Sequence, residues 1–183
     1  TLGLASGAVF AYLGGGPYVG DQVFGRDPAT FGIYFGAPAV GYFIGNFISG
    51  RYSVRFGVTR MVLIGSVVCA AGLTVYLMLF AAELGPPLSF FGLRALMGLG
   101  NGLVIPNATA GALSVRPHLA GTASGLSGAL MIGLGAGLSA LAGFILTLGL
   151  GTLPLLALMV VSAYAAIFTI LYVIRRERIL GVS

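Results

Sequence analysis

Six stretches of the chain run almost without charge for the roughly 20 residues that a helix needs to cross a bilayer core, with short polar segments between them. They cover Leu2 to Val19, Thr30 to Gly50, Met61 to Ala82, Leu88 to Gly111, Ala120 to about Leu148, and Pro154 to Ile174. A membrane β-barrel would instead show short segments of alternating apolar and polar positions, and the chain has none. The pattern predicts an all-α polytopic membrane protein, one six-helix bundle over residues 1–183. Its spans fall into a first set of three (1–82) and a second (88–174), followed by a tail at 175–183.

Glycine and proline set the punctuation. Gly14, Gly15, Gly16 and Pro17 stand together late in the first span, a place where the helix either ends or unwinds beside protein or a cavity. Asp27 and Pro28 suit the cap and first turn of the second span, and Pro38 is expected to bend it. That span carries Gly32, Gly36, Gly41 and Gly45, two small-xxx-small pairs that let a neighbouring helix come close. The third span, mostly aliphatic with few glycines, reads as a lipid-facing helix. The fifth repeats the small-residue spacing at Gly121, Gly125, Gly133 and Gly137 and is expected to pack against protein over much of its surface.

Composition narrows the function classes. Only 7% of residues are charged and 58% are apolar, against roughly 25% charged in a soluble domain. All nine basic residues are arginine, and every one except Arg94 sits in a short loop or the tail, a membrane pattern and not that of a nucleic-acid binder. With six spans, one side holds Arg51, Arg55, Arg60, Arg116, Arg175, Arg176 and Arg178 against the single acid Glu177, while the other holds Arg26 with Asp21, Asp27 and Glu83. Arginine-rich short loops face the cytoplasm, which predicts that both ends are cytoplasmic. Cys69 lies within a span and reads as a small buried apolar residue. One His, one Cys and four acids are too scattered for a metal site, a cofactor or a catalytic cluster. The chain starts within a hydrophobic run without a leader and is expected to be a piece of something longer.

The polar residues inside spans carry the candidate chemistry. Arg94 sits at least a turn into the hydrocarbon, where a charge costs ~2.5–3.5 kcal/mol at full depth, so a partner or a cavity is required; Glu83 or a headgroup phosphate could supply it. Asn101 lies seven positions on, on nearly the same face, with Asn107 beyond it. Asn46 is expected to bond across helices.

Several motifs resemble the carboxyl-terminal half of a major facilitator superfamily transporter, in particular the drug/proton antiporter branch related to bicyclomycin-resistance proteins. Gly15 to Val19, Phe24-Gly25, Phe31-Gly32 and Phe35-Gly36 are similar to that family's seventh helix, the following loop and the start of the eighth. Gly50 to Arg60 resembles the second copy of the superfamily's cytoplasmic loop signature, with Val54 where an Asp might stand. Leu103 to Ala110 and Ala120 to Gly125 are similar to the end of helix ten and the start of helix eleven. Arg94 to Gly102 resembles, in repeat position, the Arg-and-glycine signature linked to proton coupling, with Asn101 replacing part of it.

The resemblance implies two inverted three-helix repeats forming half of a twelve-helix fold. It places Tyr12, Tyr18, Tyr34, Asn101 and Asn107 towards a substrate cavity, and Arg94, Arg51, Arg55 and Asp21 in gating or coupling. It implies a secondary active transporter, proton-coupled for efflux of small amphipathic drug-like compounds and working only with a second six-helix half, either a missing amino-terminal half or a homodimer partner. An uptake carrier for sugars or organic anions and a non-transporting six-span association protein remain alternatives. Polar groups converging on one axis favour transport; outward glycine faces without a cavity favour association.

Overall fold

The computed structural model describes residues 1–24, 36–82, 87–114, 117–149 and 152–181. Among these are six long helices: α1 (Leu2–Phe24), α2 (Ala37–Phe56), α3 (Val58–Ala81), α4 (Pro87–Ser114), α5 (Ala120–Thr147) and α6 (Leu153–Leu180). A short 3-10 turn, Pro117–Leu119, leads into α5. Three of the six, α3, α5 and α6, are long and apolar enough to cross a membrane by length and composition.

Several helices outrun the expected spans. The first does not break at Gly14–Pro17 but continues to Phe24. The second extends through Arg51 and Arg55 to Phe56, so the arginine-rich stretch is mostly helical and the chain turns at Gly57 alone, with φ of 84°. A side chain is disfavoured at that positive φ, which is why one glycine suffices to join two helices. Pro38 lies in the first turn of α2, where its missing N–H forfeits no helical bond, and is not a mid-span bend. The last helix passes Ile174 and takes in Arg175, Arg176, Glu177 and Arg178 before Gly181 ends it in the left-handed conformation.

α4 is the central strut, packed against α2 and α3 and touching α1 and α5. α1 in turn packs on α5 and α6, and α3 meets α6. The two sequential sets therefore interlock, since α1 lies on the later helices of the second set and α4 on the later helices of the first. Within a bilayer lipid tails are as apolar as leucine, so packing and hydrogen bonds must hold helices together. The α2–α4 crossing shows how. A Cβ at Gly41 would overlap the Ala95 carbonyl, one at Gly45 the Leu99 carbonyl, and one at Gly98 the Pro38 carbonyl. On the other side of α4, a Cβ on Gly100 would stand 2.5 Å from the Gly65 carbonyl oxygen. Leu73, Met97, Leu155, Leu156 and Met159 fill the junction of α3, α4 and α6.

The facing of two helices departs from expectation. α3 faces lipid on one side only: Ile64, Val67, Val75 and Met78 are exposed, but Met61, Val62, Gly65, Ser66, Cys69, Ala70, Gly72, Leu73 and Tyr76 are all buried. Only Gly135, Ala142 and Leu146 are buried along α5. A Cβ at Gly121, Gly125, Gly133 or Gly137 would meet nothing within 4 Å, so that ladder is not consumed within this bundle. Hydropathy could not separate the two cases, because an aliphatic surface is equally at ease against lipid or protein.

Candidate functional site: a helix-lined cavity beside a buried arginine

The site begins with the register of α3 against α4. Seven residues separate Arg94 from Asn101, and seven separate Cys69 from Tyr76, two helical turns in each case. With the helices antiparallel, Arg94 meets Tyr76 and Asn101 meets Cys69. The Arg94 guanidinium carbon lies 5.4 Å from the Tyr76 ring centroid, and Asn101 Nδ2 is 3.8 Å from Cys69 Sγ. The same Nδ2 donates to the Met97 carbonyl at 3.1 Å.

α1 closes the other side. Its Tyr12 ring lies over Arg94 at 4.2 Å, so the arginine, 3% exposed, sits between two aromatic faces. A desolvated cation over an aromatic ring gains about 2 kcal/mol or more, which offsets part of the cost of burial. Aromatic rings from α1 and α3 thus flank the charge, while Glu83, the acid expected beside it, lies outside the described residues.

Beside this cluster opens a cavity of about 520 Å³. Ser6, Val9, Phe10, Tyr12 and Leu13 of α1 form one wall, and Pro38, Ala39 and Tyr42 of α2, with Gly36 ahead of it, form another. Gly98, Asn101 and Ile105 of α4 and Met131 of α5 complete it. The volume falls within the range of small-molecule sites, which are largely apolar with a few placed polar groups. Here Tyr12, Tyr42, Ser6 and Asn101 are those groups. Ser6 Oγ donates to its own helix at the Leu2 carbonyl, 3.0 Å away.

The remaining expected site residues lie elsewhere. Asn107 is buried away from this cavity, donating to Ser49 Oγ of α2 at 2.7 Å and to the Leu103 carbonyl at 2.8 Å; it lines a separate pocket of about 300 Å³ with Thr59 and Glu177. Asn46 does not bond across helices but donates to the Tyr42 carbonyl of α2 itself at 2.9 Å. Arg51 and Arg55 are exposed at the end of α2, and Arg55 lies 5.8 Å from the Phe56 ring centroid. Tyr18 and Asp21 fall on α1 with side chains outside the described residues, and Gly32 and Tyr34 are outside them altogether. The sequence reading passed over Tyr76, Tyr42 and Met131, aromatic and apolar residues that look like ordinary span composition. The signal for Tyr76 was its seven-residue spacing from Cys69, the same interval as Arg94 to Asn101.

A family model described as the Major Facilitator Superfamily matches residues 2–181. The chain belongs to the Major Facilitator Superfamily. An uncharacterized MFS-type transporter of Bacillus subtilis, YdgK, is 30% identical over 166 residues, covering 89% of this chain and 40% of that protein. The chain thus spans less than half the length of that relative. No solved structure matches. Membership makes the chain an integral membrane protein and not an enzyme; among the described residues no group of three His, Cys, Asp or Glu side chains could hold a metal ion.

Proposed function

We propose that this chain is one six-helix half of a secondary active transporter that exports small amphipathic compounds in exchange for protons. The observation that carries the reading is the cavity of about 520 Å³ walled by α1, α2, α4 and α5. Its surfaces are chiefly aliphatic and aromatic, which suits a drug-like molecule better than a sugar needing many hydrogen bonds. The interlocking of the two three-helix sets supports an inverted-repeat origin, since each set contributes its first helix to the other.

A second six-helix half completes the molecule on this reading. The chain spans 40% of its Bacillus relative, and two helices leave large surfaces uncovered: Phe43 and Phe47 on α2, and Leu126, Leu130 and Ile132 beside the open glycines on α5. The outward glycine face and the cavity, taken separately, point to association and to transport. A partner half covering α2 and α5 unites them. The proton-binding carboxylate then comes from that half or from Asp21 on α1. The arginine-rich end faces the cytoplasm of a bacterial inner membrane.

The test is transport by the protein in liposomes, with its mass in detergent read by light scattering. The reading predicts a particle of two six-helix units and uptake of a fluorescent amphipathic compound driven by an imposed proton gradient and abolished by a protonophore. A stable two-unit particle with no gradient-driven movement of any amphipathic, sugar or anionic probe would contradict transport and leave association.

A further inference from the structure

A second cavity, of about 650 Å³, lies between the start of α3 and the end of α6. It is distinct from the cavity of about 520 Å³: the two share no lining residue. Its lining divides by chemistry. Leu63, Ile64 and Ile174 make an apolar floor along two helices apolar enough to cross a membrane, and Arg60 and Arg178 stand at the end where those helices leave the apolar stretch. Phe56 borders the same groove, and the Arg55 guanidinium carbon lies 5.8 Å from its ring centroid. Two arginines thus line the mouth, with a third against the Phe56 ring at its border.

The acid in the same lining, Glu177, is turned to Thr59 and not paired with them. Thr59 Oγ1 donates to Glu177 Oε1 at 3.2 Å, and among the described residues neither Arg60 nor Arg178 forms an ion pair. Both are exposed, as is Ile64 on the floor. Fixed positive charge at the rim above an apolar trough is complementary to a molecule with an anionic head and a hydrocarbon tail, and juxtamembrane arginines draw anionic lipid by about 1 kcal/mol each.

We propose that this groove holds one anionic phospholipid, its phosphate between Arg60 and Arg178 and an acyl chain laid over Leu63, Ile64 and Ile174. The lipid would bridge α3 and α6 at the point where the Thr59–Glu177 bond joins their polar ends. It is a site for a membrane component, independent of what the protein transports.

The test compares dioleoyl phosphatidylglycerol with dioleoyl phosphatidylcholine, added to the delipidated protein and followed by native mass spectrometry. Phosphatidylglycerol should be retained preferentially. The double variant Arg60→Gln/Arg178→Gln should lose that retention by about tenfold or more, while Arg175→Gln/Arg176→Gln, outside the groove, should keep it. A second arm leaves the arginines intact. The chain contains no tryptophan, so Ile64→Trp places a reporter on the floor, and brominated phosphatidylglycerol should quench it more strongly than brominated phosphatidylcholine at equal mole fraction. Equal retention of the two lipids, equal loss in the Arg175/Arg176 variant, equal quenching, or displacement of the lipid by inorganic phosphate would each overturn the proposal. If the double variant does not fold, the quenching comparison decides alone.

Discussion

The Arg94 guanidinium carbon stands 4.2 Å from the centroid of the Tyr12 ring, joining the first third of α4 to α1 in the interior of the bundle. Tyr12 also lines the main cavity, so one side chain both sheathes a buried charge and forms part of the wall where a ligand would sit. The contact ties the stability of the bundle to the shape of its site.

Removing the ring should therefore cost more than removing the hydroxyl. Tyr12→Phe should remain within about 1 kcal/mol of the parent in unfolding free energy, whereas Tyr12→Leu should lose about 2 kcal/mol through the missing cation–π contact. Thermal and denaturant unfolding of the purified protein in detergent would show the difference. Equal losses from the two variants would mean that the hydroxyl, and not the ring, holds Arg94.

The glycines make opposite predictions according to where they face. Gly41→Leu drives a side chain into the Ala95 carbonyl and should destabilise the bundle by about 3 kcal/mol or more. Gly125→Leu adds its side chain to open space and should shift the stability of this six-helix unit by no more than about 0.5 kcal/mol. Monodisperse yield and melting temperature of the two variants give the readout.

Asn107 and Ser49 form a hydrogen bond of 2.7 Å between α4 and α2. In a double-mutant cycle of Asn107→Ala and Ser49→Ala, the coupling should be about 1 kcal/mol, in keeping with interhelical hydrogen bonds in membrane bundles. A coupling near zero would show that Asn107 is held by the Leu103 carbonyl alone.

What the sequence made legible follows from what hydropathy reports. Charge-free runs located all six helices, because burying backbone polar groups in lipid leaves little besides helix. Their ends were less visible: Arg51, Arg55 and Arg175 to Arg178 are good helix formers, so a charge cluster that marks the edge of the apolar layer need not end the helix. Facing was legible for one side of α3 only, and not for α5. Gly121 and Gly125 announce that something can approach closely, not that this chain supplies it, and α3 hid its packing face among Gly65, Ser66, Cys69 and Gly72. Of the candidate site, Arg94, Asn101 and Tyr12 stood out as polar or aromatic residues in spans and do gather around one region. Asn107 was equally prominent, but a hydrogen bond to Ser49 occupies it elsewhere.

Filling the cavity should separate function from fold. Ala39 lies on its wall and is exposed to it, so Ala39→Trp should leave melting temperature within a few degrees, as expected for a change of about 0.5 kcal/mol or less, while abolishing gradient-driven transport. Transport that persists with a tryptophan at this position would place the substrate path elsewhere.

The most direct measurement asks whether water reaches that wall. Cys69 is the single cysteine of the chain and is buried, so single cysteines introduced at Ala39, on the cavity, and at Phe168, on the exposed outer side of α6, can be compared in membranes with a charged maleimide. The account predicts that Ala39→Cys is labelled and Phe168→Cys is not. Labelling of Phe168→Cys without labelling of Ala39→Cys would contradict it, leaving the cavity a lipid-filled gap and not a passage.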